Sequence, residues 1–391
     1  MKTPIIVIPG IQGTTLSDIN KPDFAKRWTG IRKFYDDLYD LELSLNGKTD
    51  VVEDVLIERS DVEDLAYSEI INYLKKKGFP VYIFGYDWRK SNMDTATELL
   101  KLLDHLKLKL GEEGKHFNFL THSMGCLVVS CLFKLLATQG AVNQYINKVI
   151  FTVPPFMGST EAVFHLIIGK SRLLNSAEDF RKVARTFPSM FELCPVYPGA
   201  MEFADGSDFS IYTYNDCWQQ NLTKPDKDKI AEQYQTRLKD LEHVRDQNNL
   251  IFDFSDSTKL DPAVLSRLCV IAGTGTKTQE KIRVKPGLDP SGNFKNIFDF
   301  GEKDELQNDN GDGTVHLNSA MIFKDKITTF TVEERWFQTW ADSRFMLHDW
   351  HCFFLNNGRV QNIINRFLND ETRDKNWYAS IGGAVKKLSR K

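Results

Sequence analysis

Short apolar runs recur along the chain, and most pass through a turn into residues with helical spacing. Ile5-Ile6-Val7-Ile8 is continuous and β-branched, which predicts a strand buried on both faces. Phe79 to Phe84 predicts a second strand. Asp94 is then placed to cap an amphipathic helix to about Leu110, with leucines at 99, 103, 106 and 110 on one face. His116 to Leu120 reads as a strand, and Cys126 to Val129 with Leu132, Phe133, Leu135 and Leu136 as a helix packed on it and ended by Gly140. Lys148 to Val153 and Leu268 to Ala272 predict further strands, with a hairpin after the latter. Cys352-Phe353-Phe354-Leu355 opens the apolar pattern of a final helix running to about Leu368. Strands alternating with helices in this way predict a mostly parallel sheet covered by helices on both faces.

The alternation breaks twice. Residues 17–68 are charged with interleaved aromatics (Phe24, Trp28, Phe34, Tyr35, Tyr39), too polar for core, and are expected to form an inserted lid-like segment. Residues 160–265 are irregular, helix-leaning and aromatic-rich, and are expected to form an inserted cap. No linker or repeat divides the chain, so residues 1–391 are expected to form a single catalytic domain with these two insertions. The basic end, Lys386-Lys387-Leu388-Ser389-Arg390-Lys391, is expected to be a solvated tail.

Composition narrows the function. Of 391 residues, 41% are hydrophobic, enough for a large core, and a net charge of −3 points away from nucleic acid and from an anionic membrane as a dominant partner. No apolar run approaches the ~20 residues needed to span a bilayer, and no basic leader precedes the first strand. The six cysteines (126, 131, 194, 217, 269 and 352) show neither zinc-ligand spacing nor a disulfide framework. The expectation is a reduced, cytoplasmic protein without cofactor or metal.

Thr121-His122-Ser123-Met124-Gly125 lies between the strand and helix of residues 116–137, and a serine at the apex of a strand–turn–helix is the layout of a nucleophile elbow. The turn needs little bulk two residues to either side. Gly125 meets that need and Thr121 only partly does. Pro9-Gly10-Ile11-Gln12-Gly13 follows the first strand, where glycines let main-chain N–H groups face a developing anion. Gly273-Thr274-Gly275-Thr276-Lys277-Thr278 lacks P-loop spacing. Asn308, Asn310, Asp312 and Gly313 mimic the start of a calcium loop, but the first ligand is not Asp and Ser319 stands where a bidentate Glu is required. Acyl transfer needs a nucleophile, a base and an acid that orients the base, and in α/β-hydrolases these occur in the order Ser, Asp, His. Ser123, the glycine-flanked Asp312 and a histidine before the final helix follow that order. His351 is best placed, with His316 and His348 as further candidates. His122 is expected to point away from Ser123.

These motifs resemble the lecithin:cholesterol acyltransferase family, which includes lysosomal phospholipase A2 and the phospholipid:diacylglycerol acyltransferases. The matching residues are Pro9-Gly10 with Gly13 and Leu16, Tyr86-Asp87-Trp88-Arg89, His122-Ser123-Met124-Gly125, and Pro155-Phe156-Met157-Gly158-Ser159. Gly273-Thr274-Gly275 with Thr278, Gly311-Asp312-Gly313-Thr314-Val315 and the His351 segment complete the set. The resemblance implies an α/β-hydrolase fold, Ser123 as nucleophile, Asp312 as orienting acid, His351 as base, and the amides of Ile11 and Met124 as oxyanion hole. Asp87 and Arg89 are expected to pair beneath the site without touching substrate. Two features depart from the family pattern: no cysteine precedes Cys126, so the lid disulfide of secreted members is absent, and the cap matches poorly.

The expected activity is serine-dependent hydrolysis or O-acyl transfer on lipid acyl esters through an acyl-enzyme. Water or an acceptor alcohol would take the acyl group, with transient contact at a membrane surface left open. A small-ester carboxylesterase and a catalytically inactive lipid-binding protein are the alternatives. An aliphatic cap lining argues against the first, and the presence of all three triad residue types against the second.

Overall fold

The computed structural model describes residues 2–21, 25–28, 38–44, 46–167, 177–203, 251–256, 260–284, 306–334 and 349–371, the strands at 298–299 and 385–388, and positions 169, 205–207 and 209. The expected strands and helices form one α/β-hydrolase sheet with helical layers. Strand β1 is Ile5–Ile8, β2 Thr14–Asp18, β3 Ala25–Trp28, β4 Ile57–Val62, β5 Val81–Ile83, β6 Phe117–His122, β7 Ile146–Thr152 and β8 Met201–Phe203. Then come β9 Leu268–Thr274, β10 Thr278–Gln279, β11 Ile282–Val284, β12 Phe298–Asp299, β13 Gln307–Asn308, β14 Thr328–Glu333 and β15 Val385–Leu388. The main sheet has the order β15-β14-β9-β7-β6-β1-β5, and every pairing in it is parallel except β14 with β15. Strand β1 carries no exposed residue, as its unbroken apolar sequence requires.

Helix α1 (Asp64–Lys76), α2 (Asn92–Leu110) and α3 (Gly125–Thr138) cover the sheet. Helix α3 buries almost its whole circumference, so it forms a central rod of the core, and Gly140 ends its chain direction at φ 62°. After β1 the chain runs to the sheet edge at β5, then returns through α2 to place β6 on the other side of β1. The turns after β1 and β6 therefore open side by side at the carboxyl ends of their strands, where open α/β sheets hold their ligands.

Several boundaries differ from expectation. Ser91, not Asp94, caps α2: its hydroxyl accepts from the Met93 amide at 3.2 Å, and the buried Glu192 carboxylate bonds the Ser91 hydroxyl and the Asn92 amide at 2.6 and 2.8 Å. The carboxylate satisfies the first turn and opposes the helix dipole, so the helix begins earlier than its apolar spacing indicates. The final helix spans Gly358–Leu368 and is capped by Asn357. The apolar run before it folds as a short turn, Phe354–Asn356, that buries Phe354 and Leu355. Residues 389–391 of the tail lie outside the described residues, and 385–388 are not a free solvated segment, since β15 extends the sheet antiparallel to β14. Its backbone groups are satisfied by an edge that would otherwise stay open. The expected hairpin is a nested pair of antiparallel ribbons, β10 with β13 and β11 with β12.

Within 17–68, β2, β3 and β4 form a separate three-stranded sheet, and Leu38, Leu41, Leu43 and Ile57 join the main core. Most of 204–250 in the expected cap, and Phe24, Phe34 and Tyr35, lie outside the described residues. The described cap residues are apolar where they meet α3: Phe252 and Phe254 pack on Phe133. No helix among the described residues is long and apolar enough to cross a membrane.

The Tyr86-Asp87-Trp88-Arg89 run joins these parts. The Tyr86 hydroxyl donates to the Pro9 carbonyl at 2.9 Å and the Trp88 indole to the Thr14 carbonyl at 3.0 Å, so two side chains hold both ends of the turn after β1. Arg89 is fully buried. Its guanidinium bonds Asp87 at 2.9 and 2.7 Å, Asp50 at 2.7 Å and the Leu41 carbonyl at 3.0 Å, tying the inserted segment to the core. Burial alone would lower its pKa, but Asp87 and Asp50 outweigh that and hold it raised. Removing one partner of a buried ion pair leaves the others desolvated and uncompensated. Arg89→Met is therefore expected to lower stability by about 3–5 kcal/mol, read as a fall in the urea midpoint; an unchanged midpoint would refute the clamp.

Candidate active site

Ser123 sits between the end of β6 and the start of α3 with φ at 51°, a left-handed conformation that non-glycine residues seldom adopt. The turn is held by its neighbours: the Ser123 amide donates to the Thr152 carbonyl at 3.0 Å, and the Cys126 amide to the Ser123 carbonyl at 2.9 Å. Two glycines are needed for space. A Cβ on Gly125 would come within 2.6 Å of the Ile8 and Pro9 carbonyl oxygens, and one on Gly10 within 2.8 Å of Ser123 Cβ. Thr121 occupies the other small position by turning its hydroxyl to the Ile150 carbonyl at 3.2 Å, so its extra atoms are absorbed in the sheet.

The structure brings Ser123, His351 and Asp312 together. His351 Nε2 lies 2.8 Å from Ser123 Oγ, and His351 Nδ1 lies 2.8 Å from Asp312 Oδ2. A carboxylate accepts, so Nδ1 carries the proton and Nε2 presents its lone pair to the serine hydroxyl. The other carboxylate oxygen of Asp312 accepts from the amides of Thr314 and Val315 at 2.9 and 2.7 Å. The glycine-rich segment after β9 is the seat of this acid. A Cβ on Gly273 would meet Asp312 Cβ at 2.7 Å, and Thr278 Oγ1 accepts from the Gly313 amide at 2.8 Å.

Two side chains of the calcium-like run are engaged within the protein, Asp312 as above and Asn308, whose Oδ1 receives the Asn310 amide at 2.8 Å and His316 Nε2 at 3.0 Å. His316 also accepts from the Asn318 amide through Nδ1, so both its ring nitrogens serve this loop and neither reaches Ser123. His348 lies outside the described residues. Ile11 is half-buried and Met124 is buried at the two turns flanking Ser123, and among the described residues neither amide has an acceptor.

Two residues of this site were not expected. His122 does point away from Ser123, as its neighbouring position on the turn dictates, but into a contact with Tyr67 of α1 and with the His351 main chain. Tyr67 carries no signal in the sequence, because it falls at the end of a segment whose charge marks it as surface. Burial first, then the His351 ring, push the His122 pKa down to about 3, against the weaker upward pulls of its bond to the His351 carbonyl and of Asp349.

Comparison with known proteins places the site in a family context. The model of the family described as Lecithin:cholesterol acyltransferase matches residues 56–328, which include Ser123 and Asp312 and end before His351. Phospholipase A(1) LCAT3 of Arabidopsis thaliana is 31% identical over 137 residues, covering 34% of this chain and 29% of that protein. Lecithin-cholesterol acyltransferase-like 4, also of Arabidopsis thaliana, is 24% identical over 236 residues, covering 50% of this chain and 43% of that protein. The chain spans less than half the length of these curated relatives. A chain of the Tle4-Tli4 complex superposes with a TM-score of 0.61 at 15% identity, over 96% of this chain and 99% of that one, a likeness of fold.

A histidine held neutral in the folded state makes stability depend on pH. The unfolded chain takes up a proton below the ordinary value of 6.5, while folded His122 does not until about pH 3. Stability is therefore whole above 6.5 and falls as pH drops through that window, by about 1.4 kcal/mol per pH unit for this one group. His316, whose pKa burial also lowers, adds to the same trend. Between pH 7.5 and 5.5 the urea midpoint of His122→Gln should fall less than that of the wild type; equal slopes would place His122 outside this account.

Proposed function

The chain belongs to the lecithin:cholesterol acyltransferase family, and from that premise we propose that it is a serine hydrolase or O-acyltransferase acting on lipid acyl esters. The observation that carries the proposal is the unbroken pair of 2.8 Å contacts from Ser123 through His351 to Asp312. As the Ser123 oxygen attacks an ester carbonyl, His351 Nε2 takes the hydroxyl proton. Asp312 stabilises the resulting imidazolium and keeps Nδ1 the proton-bearing nitrogen. The carbonyl oxygen becomes an oxyanion, and the amides of Ile11 and Met124 are the donors proposed to meet it. Collapse of the tetrahedral intermediate expels the alcohol, which leaves with the proton from His351, and the acyl group remains on Ser123. Water or a second alcohol then repeats the sequence in reverse.

Phospholipid is the substrate class proposed, since a relative bears the name phospholipase A(1) and the residues of 160–265 that meet the core are aromatic and aliphatic. Access to such a substrate calls for transient contact with a lipid surface. Ile19, Val51 and Leu56 of the inserted segment are exposed apolar side chains, and the first and last are joined by a 2.9 Å main-chain hydrogen bond. Ile19→Asp with Leu56→Asp is expected to weaken co-sedimentation with phosphatidylcholine vesicles while sparing hydrolysis of a soluble p-nitrophenyl ester. Equal loss of both activities would count against a surface role.

Ser123→Ala should retain the fold and lose turnover by about a millionfold, and Asp312→Asn by about 10⁴-fold, through the wrong imidazole tautomer. Fluorophosphonate labelling mapped to Ser123 is an independent check. His351→Ala should abolish that labelling and His348→Ala should leave it intact, and the opposite result would move the base upstream. Activity on mixed phospholipids should survive EDTA. Lipid mass spectrometry with and without a long-chain alcohol then tells hydrolysis from transfer.

A further inference from the structure

Beneath the Ser123 turn runs a second hydrogen-bonded chain that the proposed chemistry does not use. The Gly10 amide donates to the Tyr67 phenol oxygen at 2.9 Å. That oxygen lies 2.8 Å from His122 Nδ1, and His122 Nε2 lies 2.9 Å from the main-chain carbonyl of His351. The groups themselves set the direction of each bond. A carbonyl only accepts, so Nε2 carries the proton. A neutral ring then has Nδ1 as acceptor, and Tyr67 must donate its hydroxyl there while accepting from Gly10. Burial raises the Tyr67 pKa, which keeps the hydroxyl protonated for this purpose. Both side chains are buried, and the phenol stands edge-on to the imidazole with ring centroids 5.7 Å apart. Reversing any one bond would leave a buried polar group unpaired.

The two ends of this chain are the parts of the site that must be aligned. One end is the turn that carries Ile11; the other is the main chain of His351. Both turns above it are strained, with Gln12 at φ 62° and Ser123 at φ 51°, and strained backbone keeps its shape only where its surroundings hold it. The fit around Tyr67 is tight, since a Cβ on Gly13 would come within 2.8 Å of the phenol oxygen.

We propose that Tyr67 and His122 are positioning residues for acyl transfer at Ser123: they touch no reacting atom, and they set the separation between the Gly10 turn and the main chain of the base. The inference rests on the reading of Ser123 as nucleophile. A purely structural role would lower the folded fraction and leave turnover per folded molecule unchanged, whereas a positioning role lowers kcat with KM nearly constant.

The test starts with Tyr67→Phe, which keeps the ring and deletes only the hydroxyl. On a p-nitrophenyl ester its kcat per folded molecule is expected to fall by about 100-fold, the scale of a misplacement near 1 Å, with KM nearly unchanged. His122→Gln can still donate to the His351 carbonyl and accept from Tyr67, so it should retain clearly more activity than His122→Leu, which can do neither. The double variant Tyr67→Phe/His122→Leu should lose no more than His122→Leu alone, because the pair acts as one unit. Wild-type kcat in folded Tyr67→Phe overturns the proposal, as do equal losses in His122→Gln and His122→Leu. Should Tyr67→Phe not fold, the Gln–Leu comparison decides. Failure of the underlying reading shows separately, as a Ser123→Ala protein that stays active or a wild type that resists fluorophosphonate. A dead Ser123→Ala beside a fully active Tyr67→Phe removes the positioning role alone.

Discussion

The turn after β1 and the turn carrying Ser123 pack so closely that only glycine fits at positions 10 and 125. Gly10 faces Ser123 Cβ, and Gly125 faces the carbonyls of Ile8 and Pro9, at separations that exclude even a methyl group. That contact sets the turn that carries Ile11 beside the turn that carries Ser123 and Met124. Much of the fold supports it. The sheet reverses direction around β1, so β1 and β6 are neighbours and their carboxyl ends open at the same place. Tyr86 and Trp88 hold the first turn from one side, and Tyr67 holds it from below.

What could be read in the sequence was whatever depends on local pattern. Buried parallel strands are continuous apolar runs, so Ile5–Ile8 and the strand before Ser123 were plain, and the order Ser, Asp, His survives any rearrangement of the loops. The boundaries set by distant partners were not plain. Helix α2 starts at Asn92 because Glu192, far along the chain, closes its first turn. The run 352–355 has helical apolar spacing, yet it folds as a turn because Asn357 caps the helix beyond it. The basic tail has the composition of a solvated end, and β15 pairs because the β14 edge offers main-chain groups regardless of side chain.

The motif after β9 shows how a pattern can be excluded from one role and still have another. Gly273 and Thr278 belong to a segment with the wrong spacing for phosphate, and their use is steric and local. Gly273 clears room for Asp312, and Thr278 receives the amide beyond it. The same logic applies to the calcium-like run Asn308–Gly313. An oxygen that already accepts two protein N–H groups has little left to give a cation, and Asp312 spends one oxygen on two amides and the other on His351.

Three histidines around this site show that the partner, rather than the residue type, decides what an imidazole does. In His351 a carboxylate faces Nδ1, which leaves Nε2 as a lone pair aimed at a hydroxyl. In His316 a main-chain amide faces Nδ1, so that nitrogen caps a short helix and Nε2 donates to Asn308. In His122 a phenol faces Nδ1 and a carbonyl faces Nε2, which fixes the opposite tautomer to that of His351, the residue whose carbonyl it bonds. The two rings lie 5.3 Å apart with different tautomers. Burial keeps the lower one from taking a proton, so the charge that develops during acyl transfer has one ring to settle on, the one with a carboxylate behind it.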